Sequence, residues 1–313
     1  MSASSSPPPK LGEGALRKAL DWGKLAPLRL RAKMVADGVY AGGHRSRRRG
    51  AGIEFGGQRS YVPGDDLRFI DRHALLRHGT LLVRQFETET DRTLCLLVDA
   101  SASMSYRGEP APGPKYAFAA LIAAALAKIA IGAGDRVSLD WFGGEKTVEL
   151  ATAGGREAFE RVVGALETAQ PSADLRADLP SLERAVARVE RRAGRGSSVV
   201  VLSDLLDLPD GAESAIASLS GRGKSLAVAR VLDPTEISFP FSGPLHLRAL
   251  EGEARVETDA TAARPQYLAA LAAQTHAWSE RLLSRGGSLV PMNTADDPVK
   301  CVRRVIDALG GLT

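Results

Sequence analysis

From residue 93 onward the apolar positions alternate between short and long runs. Short runs rich in Val, Leu and Ile, or alternating with polar residues, occur at Thr93–Val98, Arg136–Phe142, Lys146–Leu150, Ser198–Leu202, Leu226–Leu232 and Ser288–Met292. Continuous apolar runs are the pattern of strands buried on both faces of a parallel sheet. Longer segments with helical spacing separate most of them: Lys115–Ile131, Arg156–Ala169, Leu182–Ala193, Asp210–Leu219, Pro265–Leu283 and Pro298–Leu309. This order predicts an α/β fold, a doubly wound, mostly parallel sheet with helices on both faces and right-handed crossovers. The one interruption spans 235–259, where Leu245–Leu250 and Arg255–Thr258 read as an inserted hairpin.

The chain before residue 93 is poorer in apolar mass. Residues 1–10 are rich in Ser and Pro and read as a disordered lead-in, neither signal peptide nor anchor. Residues 11–92 read as an accessory region packing on a sheet domain that spans 93–313. Within it, Leu16–Val35 has helical periodicity broken near Ala26-Pro27, Ile53–Tyr61 is punctuated by Gly, Pro63-Gly64-Asp65-Asp66 is a turn, and Leu81–Phe86 has strand character.

Composition narrows the class. The chain has 313 residues, is 44% hydrophobic and carries a formal charge of +4, with a mean hydropathy of −0.09, the profile of a soluble globular protein. Tyr116–Ile131 comes nearest to a membrane span, but its alanines and Lys128 read as a buried helix, so no span is expected. The two cysteines, Cys95 and Cys301, imply no disulfide framework or zinc site and suit a reducing cytoplasm. The basic stretch Arg45–Arg49 has no interleaved aromatic side chains on which bases could stack, so no nucleic-acid partner is expected. No Ser or Cys stands in a recognisable relation to a His base, and there is no phosphate-binding glycine loop. The chain therefore reads as a non-enzyme.

Candidate chemistry gathers after two strands. Asp99, Ser101 and Ser103 follow Thr93–Val98, and Asp204 follows Ser198–Leu202 with Ser203. Carboxyl ends of neighbouring parallel strands are where open α/β sheets bind ligands. Two carboxylates with two hydroxyls suit a hard, oxygen-preferring divalent cation: Mg2+, or Mn2+ or Ca2+. The same residues could instead be a Ser-rich turn, with Asp204, Asp207 and Asp210 capping the next helix.

The segment Arg59-Ser60-Tyr61-Val62-Pro63-Gly64-Asp65-Asp66-Leu67-Arg68-Phe69-Ile70-Asp71 resembles the signature of domain-of-unknown-function family 58. Val83-Arg84-Gln85-Phe86-Glu87 and Leu97-Val98-Asp99-Ala100-Ser101-Ala102-Ser103-Met104 follow at the spacing of that family. The resemblance implies a von Willebrand factor A-like domain with a metal-ion-dependent adhesion site. It also implies a MoxR-type AAA+ ATPase, or its client, as protein partner in assembly or maturation. Asp99, Ser101 and Ser103 match the first loop of that site and Asp204 the last. The middle loop departs from the pattern: Pro171-Ser172-Ala173-Asp174-Leu175 puts Ala173 where a Thr hydroxyl is expected, leaving Ser172 or Asp174 as substitutes. A second departure is Arg72 in place of Trp. The alternatives are a metal-free scaffold binding through surface contacts, which Ala173 favours, and a metal-dependent hydrolase.

Overall fold

The computed structural model describes residues 27–41, 54–61, 79, 81–87, 92–176, 178–250 and 255–310. A six-stranded sheet forms its centre: β3 (Thr93–Asp99), β4 (Arg136–Phe142), β5 (Leu150–Ala153), β6 (Ser198–Ser203), β7 (Ser225–Leu232) and β10 (Gly287–Asn293). Their order across the sheet is β10-β7-β6-β3-β4-β5. All neighbours are parallel except β5, which runs antiparallel to β4 at the edge.

The apolar runs form these strands because both faces are covered. All seven residues of β3 are buried. Leu94, Leu96 and Val98 face one core, with residues of α1 (Leu28–Ala41), α2 (Lys115–Gly132), α3 (Gly155–Thr168) and α8 (Pro298–Ala308). Cys95 and Leu97 face the other, with residues of α4 (Leu179–Arg192), α5 (Ala212–Ala217) and α7 (Ala260–Leu283). The period of two along each strand thus sorts its residues between the cores. Helix α2 is apolar nearly all round because the sheet, α1, α3 and α8 surround it. It is long and apolar enough to cross a membrane, but most of it is buried inside the protein. The short helix α6 (Pro234–Ser238) and the antiparallel pair β8 (Pro244–Arg248) and β9 (Arg255–Asp259) make the interruption between β7 and α7.

Three of the boundaries that differ from the expectation have a local cause in the backbone or a cap. Lys146–Leu150 is not a strand: Lys146 adopts a left-handed conformation (φ +52°), and pairing with β4 begins only at Leu150. Helix α7 begins at Ala260, not Pro265, because the Asp259 carboxylate accepts from the amides of Thr261 and Ala262. Pro265 is carried inside the helix, near its start. Helix α5 is shorter than 210–219, and Gly211, not Asp210, precedes its first residue.

Helix α1 joins the helical layer: Arg29 pairs with Glu160 at 3.1 Å, and the Arg303 guanidinium donates to the Gly38 carbonyl at 2.7 Å. β1 (Glu54–Ser60) and β2 (Leu82–Glu87) pair antiparallel. The lead-in at 1–10, the Arg45–Arg49 stretch and the Pro63–Asp71 segment lie outside the described residues.

Two glycines after β4 let the chain press against the loop after β3. Gly143 (φ +68°) and Gly144 (φ +81°) are left-handed, and a Cβ on Gly144 would lie 2.5 Å from the Ala100 Cβ. Gly134 is also left-handed (φ +91°) but has nothing among the described residues within 4 Å of its Cβ position. Gly134→Ala is expected to cost about 1–2 kcal/mol, the backbone strain alone. Gly144→Ala should cost clearly more and displace the loop holding Asp99. Urea denaturation of the two variants measures the difference, and equal losses would contradict this packing.

Candidate metal centre

In chain order, β4 lies beside β3 on one side and β6 on the other, so the crossovers reverse direction between β3 and β6. Their carboxyl ends flank the topological switch point of the sheet. Asp99 is the last residue of β3, and Asp204 directly follows β6.

The loop after β3 is held by its own polar groups. Asp99 Oδ1 accepts from the Ser101 amide at 2.8 Å, an Asx turn that reverses the chain into a short 3-10 turn over Ala102–Ser105. The Ser101 and Ser103 hydroxyl oxygens lie 3.0 Å apart. Across the switch point the Ser203 hydroxyl donates to Asp99 Oδ2 at 2.5 Å, and the Leu205 amide donates to Ser203 Oγ at 2.9 Å. Asp204 Oδ1 accepts from the Leu206 amide at 2.8 Å. Asp204 therefore closes its own turn and caps no helix, since α5 begins only at Ala212. Asp99, Ser101, Ser103 and Asp204 thus come to one place.

The two carboxylates differ in their partners. Asp204 Oδ2 receives the Lys115 ammonium at 2.7 Å, and the same ammonium reaches Glu236 Oε1 at 2.5 Å. Asp99 is fully buried and has no ion-pair partner among the described residues. Burial, with repulsion from Asp204, pushes its pKa up to about 7 against the donors Ser203 and Ser101. Burial also raises Glu236, with Lys115 opposing it.

A polar shell supports the Asp204 turn. Arg230, in register with Ser203 on β7, is buried and donates through Nε to the Asp204 carbonyl at 3.1 Å. Its other nitrogens reach Thr275 and Gln274, and Gln274 donates to the Leu205 carbonyl. Glu236 closes a capping box with Asp233 at the start of α6. Asp233, also buried, accepts from the Gly108 amide at 2.8 Å.

The segment 171–175 lies against the same loop. The Ala102 amide donates to the Ala173 carbonyl at 3.1 Å, and the Ser172 amide to the Ala100 carbonyl at 2.8 Å. Ala173, without a side-chain oxygen, is left-handed at φ +79°, and Leu205 across the site is left-handed at φ +59°. Two non-glycine residues in this region next to one site mark local strain. Ser172 Oγ is buried without a hydrogen-bond partner among the described residues, whereas Asp174 is exposed and accepts from the Arg176 amide.

Sequence reasoning missed Lys115, Ser203, Arg230 and Glu236. Two signals were present: a Lys opening an otherwise apolar helix, and an Arg inside the apolar run Leu226–Leu232. In either place a charge is buried only if paired.

The family model described as "Protein of unknown function DUF58" matches residues 57–277. The uncharacterized protein Rv1480 of Mycobacterium tuberculosis is 30% identical over 303 residues, 95% of this chain and 93% of that protein. The uncharacterized protein Mb1516 of Mycobacterium bovis matches to the same extent: 30% over 303 residues. Among solved structures, the conserved hypothetical protein BatB from Bacteroides thetaiotaomicron is 14% identical, with a TM-score of 0.45, over 70% of this chain and 98% of that one. A von Willebrand factor type A protein from Catenulispora acidiphila is 11% identical, with a TM-score of 0.38, over 73% of this chain and 44% of that one. The family match over most of the chain, with 30% identity to the mycobacterial proteins over nearly its full length, places this protein in the DUF58 family.

Proposed function

We propose that this protein is a non-enzymatic, von Willebrand A-like binding module. In it Asp99, Ser101, Ser103 and Asp204 hold a divalent cation, Mg2+ in the first instance, that captures a carboxylate of a partner protein. The observation that carries this reading is the Asp99 carboxylate, fully buried beside two hydroxyls with no cationic partner among the described residues. Burying a lone ionised carboxylate is costly, and a metal ion is one of the few things that offsets it. The wider network points the same way. Asp99, Asp204, Asp233 and Glu236 stand against Lys115 and Arg230, a formal charge of −2 when all are ionised. A divalent cation would neutralise it.

The donor set fits such an ion: carboxylates and hydroxyls, with no sulfur or imidazole. The bound ion would supply a Lewis-acidic coordination position for an incoming carboxylate. Asp99 and Asp204 would provide the charge, and Ser101 and Ser103 the neutral oxygens that leave the ion electron-poor. Ala173 offers no side-chain oxygen, so a further position falls to water or the partner. As partner we propose a MoxR-type AAA+ ATPase or its client, as the family resemblance implies. ATP hydrolysis would then belong to the partner.

A metal-free scaffold is the second reading. The Lys115 ammonium on Asp204 and the alanine at 173 favour it.

Calorimetric titration with Mg2+ is expected to show a single site in the native protein and none in Asp99→Ala, with circular dichroism of the variant unchanged. Absence of heat in the native protein, with partner capture undiminished in chelator, would leave the scaffold reading. A pH series gives an independent check. The folded-state pKa of Asp99, about 7, lies above its ordinary 3.8. The folded chain therefore binds this proton more tightly than the unfolded chain. In chelator its contribution to stability should decline as pH rises from about 4 to 7, then level off. Urea midpoints should lose this slope in Asp99→Asn and show less of it with Mg2+ present. A slope unchanged in the variant would place its origin elsewhere.

A further inference from the structure

Lys115 is the first residue of an eighteen-residue helix, preceded by Pro114, and it is fully buried. Both facts disfavour an ammonium. Burial removes its water, and the first turn of a helix presents the positive end of the dipole. Its position is maintained by Asp204 at 2.7 Å and Glu236 at 2.5 Å, and the Tyr106 ring centroid lies 5.6 Å from Nζ. Burial lowers its pKa, but these two carboxylates more than offset that, and the group stays charged. Tyr106 is itself fixed, its hydroxyl 3.0 Å from Thr235 Oγ1 beside the capping box. The ammonium therefore sits in a built socket against one of the two carboxylates assigned above to the ion.

We propose that Lys115 is a tethered cation of this site. It occupies one oxygen of Asp204, keeps the β6 turn assembled without a bound ion, and so weakens divalent-metal binding by leaving Asp204 only its other oxygen to offer. This rests on the metal reading for the residues concerned, but predicts a behaviour that reading alone does not. With Lys115 in place, the network has one carboxylate compensated from within and one awaiting an external cation. Without it, Asp204 and Glu236 both need one. A field effect would also raise metal affinity on loss of Lys115. The companion change Glu236→Gln removes one negative charge with the positive one, leaving net charge unchanged and the glutamine oxygen able to accept from the Asp233 amide.

The test compares native protein, Lys115→Met and the double variant Lys115→Met/Glu236→Gln by calorimetric titration with Mg2+ and by thermal melts in chelator and in Mg2+. The double variant is expected to bind Mg2+ about tenfold more tightly than native protein, equivalent to about 1.4 kcal/mol. Lys115→Met should melt lower than native protein in chelator, and Mg2+ should raise its melting temperature by more than it raises that of native protein. Mg2+ binding by the variants where native protein binds none would support the tethered cation while removing the metal from the native function. Native binding with no gain in the double variant would overturn the inference and leave the metal reading standing. Absence of binding in all three would overturn both. A single variant that fails to fold in chelator but folds in Mg2+ supports the inference. If it folds in neither condition, the double variant decides.

Discussion

The Ser203 hydroxyl bonded to the Asp99 carboxylate joins the ends of β3 and β6, the adjacent strands at the centre of the sheet. That contact fixes a constraint for everything around it. A fully buried acid group is held at the end of β3, and each nearby element must either compensate its charge or keep its own away. The loop after β3 does part of this with the Ser101 amide, and the β6 turn does part with Ser203, which the Leu205 amide holds in place. Hydrogen bonds to a carboxylate are among the stronger ones. Here they do not suffice, since burial and Asp204 still raise the acid well above its ordinary range.

The same constraint explains why so many elements end at this point. Lys115 opens α2, Arg230 lies near the end of β7, Glu236 and Asp233 cap α6, and Gly108 and Tyr106 come from the segment leading into α2. A Cβ on Gly108 would fall 2.4 Å from Asp233 Oδ1, so that segment approaches as closely as a glycine permits. Charges are delivered from separate elements to one locus: Asp204 and Glu236 each accept from a backbone amide as well as from Lys115, and Arg230 donates to the Asp204 carbonyl. Breaking one member of a buried pair leaves the other uncompensated, typically a loss of about 3–5 kcal/mol. Site and fold therefore share a single point of failure.

Much of this was legible in the sequence. Continuous apolar runs such as Leu94–Val98 and Val199–Leu202 announce strands covered on both sides, and carboxylates just past their ends announce the switch point. Asp99, Ser101, Ser103 and Asp204 could be placed together because parallel strands put their carboxyl ends on one edge. What could not be read were the contacts that depend on tertiary placement. The lysine opening α2 signals a paired charge, but its partners Asp204 and Glu236 are seen only in the fold, and Glu236 looks like a plain capping-box residue. Boundaries failed where a local device overrode the pattern: the left-handed Lys146 delayed β5, and the Asp259 cap moved the start of α7 upstream of Pro265.

The two readings of the site make different demands on Asp99. A scaffold needs only that the ends of β3 and β6 be tied together. An asparagine could accept from the Ser101 amide through Oδ1 and donate through Nδ2 to the Ser203 hydroxyl, tying the same two strand ends without a buried charge. In that reading the ionised acid is a liability at neutral pH, made worse by the neighbouring Asp204. Lys115 does not remove it, because the ammonium is directed to Asp204 and Glu236. An acid in this position is physically favoured over an amide where a cation shares its locus for at least part of the protein's working cycle. That asymmetry, one carboxylate matched internally and its neighbour left for an external ion, weighs toward the metal reading more than the loss of the hydroxyl at Ala173 weighs against it. A missing neutral donor can be replaced by water at modest cost. A missing counter-charge in a buried site is made good only by a cation or by taking up a proton, and above about pH 7 the proton leaves Asp99.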